Sequence, residues 1–369
     1  ATVSVHQAEN NIFLKVGGKT DASLGIDMGT QVLLAHIPLL LHPHPSRVLV
    51  IGMGSAITLG SAGRHPGVTT LDCAEIDPAV VEGARLFGEH NYHVHDDSRA
   101  RIFVADGRNF LLAAPAPYDV IISESSNPWM AGVASLFTQE FYELAKRRLA
   151  PEGIMCQWLQ LYRIHPGDVK LVLRTFQQVF PHVSVWSTIP GDLILIGSMQ
   201  PHQLDADRVA AAFGVPSIRD DLRRIDVRHP QALPELFWFN SPQLRRLTSD
   251  QRWLHTDDLT WLEFNAPKAL YQEGTLSMNY RGLQRFREPA FVIAPGLLKE
   301  PNAEVAAAIG QLYLFRDEPD KAVEALERAA QHGLRSVEIS LELAEAYARQ
   351  GAVAKTTEEI ASTSEQAAV

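Results

Sequence analysis

Cysteine is scarce in this chain of 369 residues, which has only Cys73 and Cys156. Both lie in apolar, strand-like runs, which excludes a disulfide framework and reads as reduced thiols in a core. Long hydrophobic runs are missing too. The longest, VLLAHIPLLL, is broken by His36 and Pro38 and is far shorter than the ~20 apolar residues that span a bilayer. Positive charge is in deficit: 33 Lys and Arg stand against 43 Asp and Glu, a formal net charge of −10. That argues against a nucleic-acid partner and is compatible with cationic small molecules. The opening residues, ATVSVHQ, carry neither a methionine nor a signal-peptide pattern, which fits a processed product or a piece of a longer protein.

What is present is ordered alternation. Residues 1–45 hold a polar/apolar alternation with a Gly-Gly turn, expected as a small β-hairpin region, then GTQVLLAHIPLLLH, expected as a lead-in helix. Residues 46–200 alternate strands (RVLVIG, VTTLDCAEID, RIFVAD, YDVIIS, GIMCQWL) with helical stretches such as PAVVEGARLF and LFTQEFYELAKRRL. VSVWS and DLILIGS close the series as a hairpin forming an antiparallel edge. The expected fold class is α/β, a methyltransferase-type Rossmann-like parallel sheet with that terminal hairpin and a C-terminal helical region. Residues 201–300 read as a mixed, mainly helical extension, and 301–369 as a helical repeat with a frayed tail. Gly310, Tyr313 and Ala322 fit a tetratricopeptide-like pattern, and Ala344 and Tyr347 recur 34 positions after the first two.

The chemistry-bearing residues cluster at strand ends. Gly52 and Gly54 follow a strand and precede a helix, where missing side chains let a ligand approach backbone N–H groups. Ala56 and Ile57 spoil a full G-x-G-x-x-G. Glu75 ends the next strand, 21 residues past Gly54, where an acid binds ribose hydroxyls. Asp106-Gly107 ends the third, where an acid takes an adenine amino group. Together they predict a nucleoside site. DVIISESSNPWMAG, residues 119–132, ends a buried strand in Glu124, the position at which open α/β sheets bind ligands. HNYHVHDD, with His93, His95 and Asp96, reads as a solvated loop, and no metal is expected.

These stretches, with GGKTDAS, AEIDPAVVEGARLF, VADGRNFL and the block through GIMCQW, resemble the spermidine synthase (polyamine aminopropyltransferase) family over roughly residues 11–200. HTDDLTWLEFNAP, residues 255–267, resembles a segment of larger bacterial members fused to membrane-spanning regions. The resemblance implies a transferase that cleaves the Cγ–S bond of AdoMet or decarboxylated AdoMet and releases methylthioadenosine, without a metal. It implies cofactor contacts at Gln31, Gly52, Gly54, Glu75, Asp106 and Gly107, a catalytic carboxylate at Glu124, and substrate contacts at Ser55, Ser125, Asn127 and Trp129. Trp129 reads equally as a stacking surface for a sulfonium and as a hydrophobic plug. A cytoplasmic protein, or the cytoplasmic part of a membrane protein with a span ahead of residue 1, is implied, as are a homo-oligomer and a protein partner on the C-terminal repeat.

Departures from the family pattern bear on the substrate. The loop reads Glu124-Ser-Ser-Asn127-Pro where the family has D-S-S-D-P, Ser55 stands for an Asp, and Thr30 for a tyrosine. Two neutral positions in place of acids predict binding of AdoMet at least equal to that of its decarboxylated form, and poor use of putrescine. Asp257, Asp258 and Glu263 are the acids available to replace the lost charges. Two rival functions remain at this level: chemistry on AdoMet itself, as methyl transfer, elimination or cyclisation, and a non-catalytic nucleoside-binding or assembly module.

Overall fold

A parallel strand covered on both faces needs a near-continuous apolar run, a demand met by the inner strands of the sheet and only partly by the strand at its edge. The computed structural model describes residues 2–8, 11–288, 292–352, 354–357 and 359. A small antiparallel sheet comes first, from β1 (Val3–Ala8), β2 (Asn11–Val16) and β3 (Lys19–Ser23). The large sheet contains β4 (Arg47–Ile51), β5 (Thr70–Glu75), β6 (Ala100–Val104), β7 (Tyr118–Ser123) and β8 (Leu149–Gln160) in parallel. β9 (His182–Ile189), β10 (Asp192–Ser198) and β11 (Phe237–Asn240) continue it antiparallel. The order is β11-β9-β10-β8-β7-β4-β5-β6. From β4 the chain winds outward to β5 and β6, then returns to the other side of β4 as β7. The crevice between the ends of β4 and β7 is thus a topological switch point, where open sheets bind ligands.

The helices packed on the large sheet include α1 (Met28–Leu41), α2 (Ile57–Ala62), α3 (Pro78–Ala84), α4 (Gly107–Ala113), α5 (Gln139–Arg148) and α6 (Pro166–Val179). Alternation along the strands assigns their faces. Leu49, Ile51, Ile121 and Met155 point into one core with Phe141, Tyr142 and Phe176 from α5 and α6. On the opposite face, Cys156 Sγ reaches Leu34 O of α1 at 3.7 Å. α1 is buried almost throughout, as expected of a helix apolar on all sides. Beyond Thr30 and Gln31 in its first turn, its polar interruption is His36, which meets His65 at 2.8 Å between ring nitrogens. Both cysteines are buried free thiols.

The hairpin of β9 and β10 forms as expected but is not the edge. The outermost strand there is β11, whose Phe237, Trp238 and Phe239 are buried. A four-residue strand leaves no usable periodicity, so nothing in the 201–300 stretch announced it. The chain divides into two units, residues 1–204 with 237–292 and residues 205–236 with 293–369. The stretch 201–300 is therefore shared between the two. In the second unit, helices Ala303–Phe315, Pro319–Gln331 and Val337–Arg349 pack in succession. Gly310 lies against Leu326, and Ala322, Ala344 and Tyr347 are buried, so the repeat positions are packing positions. The tail from 361 lies outside the described residues. Among the described residues, no helix is long and apolar enough to cross a membrane.

Gly197 of β10 offers a test of core packing away from the crevice. A Cβ there would lie 2.6 Å from Phe180 and 2.7 Å from Phe176. Gly197→Ala is expected to cost about 1–3 kcal/mol through overpacking, read as a lower urea midpoint.

Candidate active site

One cavity of about 450 Å³ opens over the ends of β4, β5, β7 and β10, within the usual range of small-molecule sites. Its floor is the turn after β4. Gly52 has φ +89, and a Cβ there would sit 2.2 Å from Glu124 O, so only glycine fits. Glu75 receives Met53 N–H on one carboxylate oxygen at 2.8 Å and Asp77 N–H on the other at 2.9 Å. Burial raises its pKa, and those N–H groups oppose the rise. Asp106 caps α4 by accepting Asn109 N–H at 2.8 Å. A Cβ on Gly107 would fall 2.3 Å from Ile51, so that glycine brings α4 close to β4. Gln31 spans from α1: its Nε2 donates to Ser23 O at 2.9 Å and its Oε1 accepts Ser55 Oγ–H at 2.5 Å.

Of the residues expected at the site, Gln31, Gly52, Gly54, Glu75, Asp106, Gly107, Glu124 and Ser125 border this one cavity. Ser55, Asn127 and Trp129 do not. Ser55 is buried behind Gln31, turned toward it by its hydrogen bond. Asn127 is fully buried, its Nδ2 donating to Tyr162 Oη at 3.3 Å. Trp129 packs against the core, edge-on to Tyr162 at 6.2 Å, with Lys19 Nζ 6.0 Å over its ring. In the empty cavity each of these three side chains turns toward a protein partner, and Trp129 packs as a plug would. Asp257 pairs with Arg108, and Glu263 accepts Gly132 N–H at 3.2 Å, so neither replaces a charge on the cavity wall. His95 is engaged near Val81 O, and among the described residues no group of three His, Cys, Asp or Glu is arranged for a metal ion.

Sequence reasoning missed the other acids of the wall. Asp21, Asp27 and Asp192 join Glu75, Asp77, Asp106 and Glu124, against Lys19 as the single cationic side chain. Asp21 accepts Lys19 Nζ at 2.7 Å and Ser126 Oγ–H at 2.5 Å, tying the loop after β7 to β3. Asp27 is held by Ser23 through N–H and Oγ. Asp192 enters from the β9–β10 hairpin, and Thr30 Oγ1 donates to its Oδ2 at 2.8 Å. Asp21 lay in the quoted GGKTDAS, with Asp27 just beyond it, but Asp192 sits in a Pro-Gly-Asp turn that reads as ordinary turn chemistry. Burial, together with Asp21, Asp27 and Asp192 nearby, pushes Glu124 up to about 8, opposed by a hydrogen bond with Thr58. Burial likewise pushes Asp192 up to about 7, against the hydrogen bond from Thr30, with Asp27 adding to the rise.

Comparison with known proteins shows what the domain is similar to. Residues 28–200 match the family model of the spermine/spermidine synthase domain. The chain is 33% identical over 178 residues to a spermidine synthase of Dictyostelium discoideum, covering 48% of this chain and 62% of that protein. It is equally 33% identical over 161 residues to putrescine N-methyltransferase 2 of Nicotiana attenuata, covering 43% of each. It thus spans less than two thirds of either relative. The crystal structure of spermidine synthase from Thermotoga maritima aligns at 28% identity and a TM-score of 0.46, covering 54% of this chain and 73% of that one. The matched span holds α1, the large sheet through β10 and the residues around the cavity from Met28 onward. Asp21 and Asp27, on the N-terminal side, fall outside it.

Two raised acids give a pH signature to the ligand-free protein. A carboxyl whose folded pKa lies above its unfolded value of about 4.3 adds stability below that value and loses it as pH rises through the folded one. For Glu124 the loss runs from about pH 4 to its folded value of about 8. Glu124→Gln is therefore expected to melt higher than the wild type at pH 9, with the gap closing toward pH 5. Thermal midpoints across that range provide the check.

Proposed function

We propose that this protein transfers the aminopropyl group of decarboxylated AdoMet to an amine and releases methylthioadenosine. The carrying observation is the charge of the cavity wall, seven carboxylates to one lysine, with that lysine already paired to Asp21. Decarboxylated AdoMet brings a sulfonium and an ammonium, and an amine acceptor brings more positive charge. AdoMet would add a carboxylate with no unpaired cationic side chain on the wall to receive it. The matched domain and the relatives named as spermidine synthases support the same reading, and the relative named putrescine N-methyltransferase supports an amine as the acceptor.

The neutral residues at 55 and 127 therefore do not set the preference toward AdoMet that the sequence suggested. They lie behind the wall, and the acids that face the ligand come from β3, from the approach to α1 and from β10. In this reading Glu75 and Asp106 hold the nucleoside, with the turn at Gly52–Gly54 passing close beneath it. Glu124 takes a proton from the acceptor ammonium. The freed nitrogen lone pair then attacks the carbon on sulfur, a new C–N bond forms as the C–S bond breaks, and the sulfonium leaves as a neutral thioether. A carboxylate raised toward neutral pH by burial is a better base than an exposed one, while the departing sulfonium needs no acid.

The test is product analysis by mass spectrometry, with putrescine plus decarboxylated AdoMet and, separately, putrescine plus AdoMet. Methylthioadenosine and an aminopropylated amine are expected only from the first mixture. S-adenosylhomocysteine from the second would replace this reading by methyl transfer. Binding of both nucleosides with no product would replace it by a binding module. Glu124→Gln is expected to lower turnover by about a hundredfold or more while still binding methylthioadenosine in calorimetry.

A further inference from the structure

Most acids of the cavity wall are already satisfied by the protein. Both oxygens of Glu75 accept backbone N–H groups, Asp21 holds Lys19 and Ser126, and Asp27 is closed onto Ser23. Asp192 differs. Its residue is 5% exposed, and its Oδ1 is buried without a partner in strict hydrogen-bond geometry among the described residues, with the Trp158 indole as the one further side-chain donor acting on the carboxylate. A buried carboxylate oxygen left this way is costly unless a donor or cation reaches it. The cavity it borders is where such a group arrives.

The surroundings fix the carboxylate. Thr30 Oγ1 gives its single proton to Asp192 Oδ2, so the 2.8 Å bond leaves it only lone pairs for Thr188. Thr188 Oγ1, 2.7 Å away, must then be the donor to Thr30. The chain Thr188 to Thr30 to Asp192 orients one oxygen, and the Trp158 indole flanks the carboxylate. Thr30 stands where the resemblance expects a tyrosine, and Asp192 occupies the space beside its short side chain. Asn127, where the resemblance expects an acid, is neutral and turned to Tyr162.

We infer that Asp192 is the acceptor-selecting residue of this site: its unpartnered oxygen receives the non-reacting ammonium of an acceptor that carries two amines. The assignment rests on the amine-transfer reading above, with Glu124 serving the reacting nitrogen. It moves the acid that pairs with the acceptor's second charge from the loop after β7 to the β9–β10 hairpin.

The test compares putrescine with butylamine, which has the same carbon chain and lacks the second ammonium. Decarboxylated AdoMet is the donor, and the proteins are wild type and Asp192→Asn. That substitution keeps the shape and the acceptor for Thr30. Wild type is expected to favour putrescine. The variant should lose about tenfold or more on putrescine, mainly as a higher KM, and change little on butylamine. Equal losses on both amines, or no loss, would overturn the assignment. Methylthioadenosine binding by calorimetry reports that the variant is folded. If it is not, Thr30→Val, which frees Asp192 from its orienting bond, is read by the same ratio of amines. Should wild type show no turnover with any amine, the transfer reading fails on its own. Calorimetric binding of the two amines to the methylthioadenosine complex then decides the role of Asp192. A putrescine preference that vanishes in Asp192→Asn supports it, and one that persists overturns it.

Discussion

The site depends on one close approach of two backbones. Glu124 N–H donates to Ile51 O at 2.9 Å, extending the β4–β7 ladder one residue past the strands. Immediately beyond, Gly52 turns away with a positive φ and lies against the Glu124 carbonyl. No side chain can stand between them. The turn that would pass under a nucleoside and the carboxylate that would serve the reacting amine are thereby fixed to each other by main-chain geometry, not by flexible side chains. Preorganisation of this kind lets a site supply positioning at little cost during reaction.

Around that junction the protein places more negative charge than it neutralises. Burial and mutual repulsion raise Glu124 and Asp192, so the ligand-free cavity holds part of its charge in check by holding protons. A cationic ligand reverses the balance: it makes ionisation favourable and is itself attracted. The same residues thus destabilise the empty site at high pH and favour the filled one, as expected where function is carried by groups that are poorly satisfied in the free protein. Lys19 tempers the field, paired with Asp21 and acting through space on Asp192.

The departures at positions 55 and 127 show how far a motif can be read from its letters. Ser55 and Asn127 are neutral where acids are expected, and by charge alone they predict a changed substrate. Their side chains, however, serve Gln31 and Tyr162, while Asp192 arrives from a strand roughly 65 residues downstream of Asn127. In the proposed reading, charge absent from one segment is supplied by another, which a linear motif does not record.

The sequence by itself determined the parallel sheet, because apolar runs without alternation are buried on both faces wherever they pair. It also brought Gly52, Gly54, Glu75 and Asp106 to one cavity, since each sits at a fixed offset from a strand end. Tertiary structure decided the rest. β11 is too short to carry a period, and it joined the sheet because three adjacent aromatics had to be buried. Trp129 was legible as a plug or as a stacking surface alike, and the sequence could not choose because the packing depends on Tyr162 meeting it edge-on. Asp192 acquires its meaning only when the β9–β10 hairpin folds beside Thr30. Residues distant in the chain act on one ligand through space, and their contact depends on the packing of the sheet, not on their spacing in sequence.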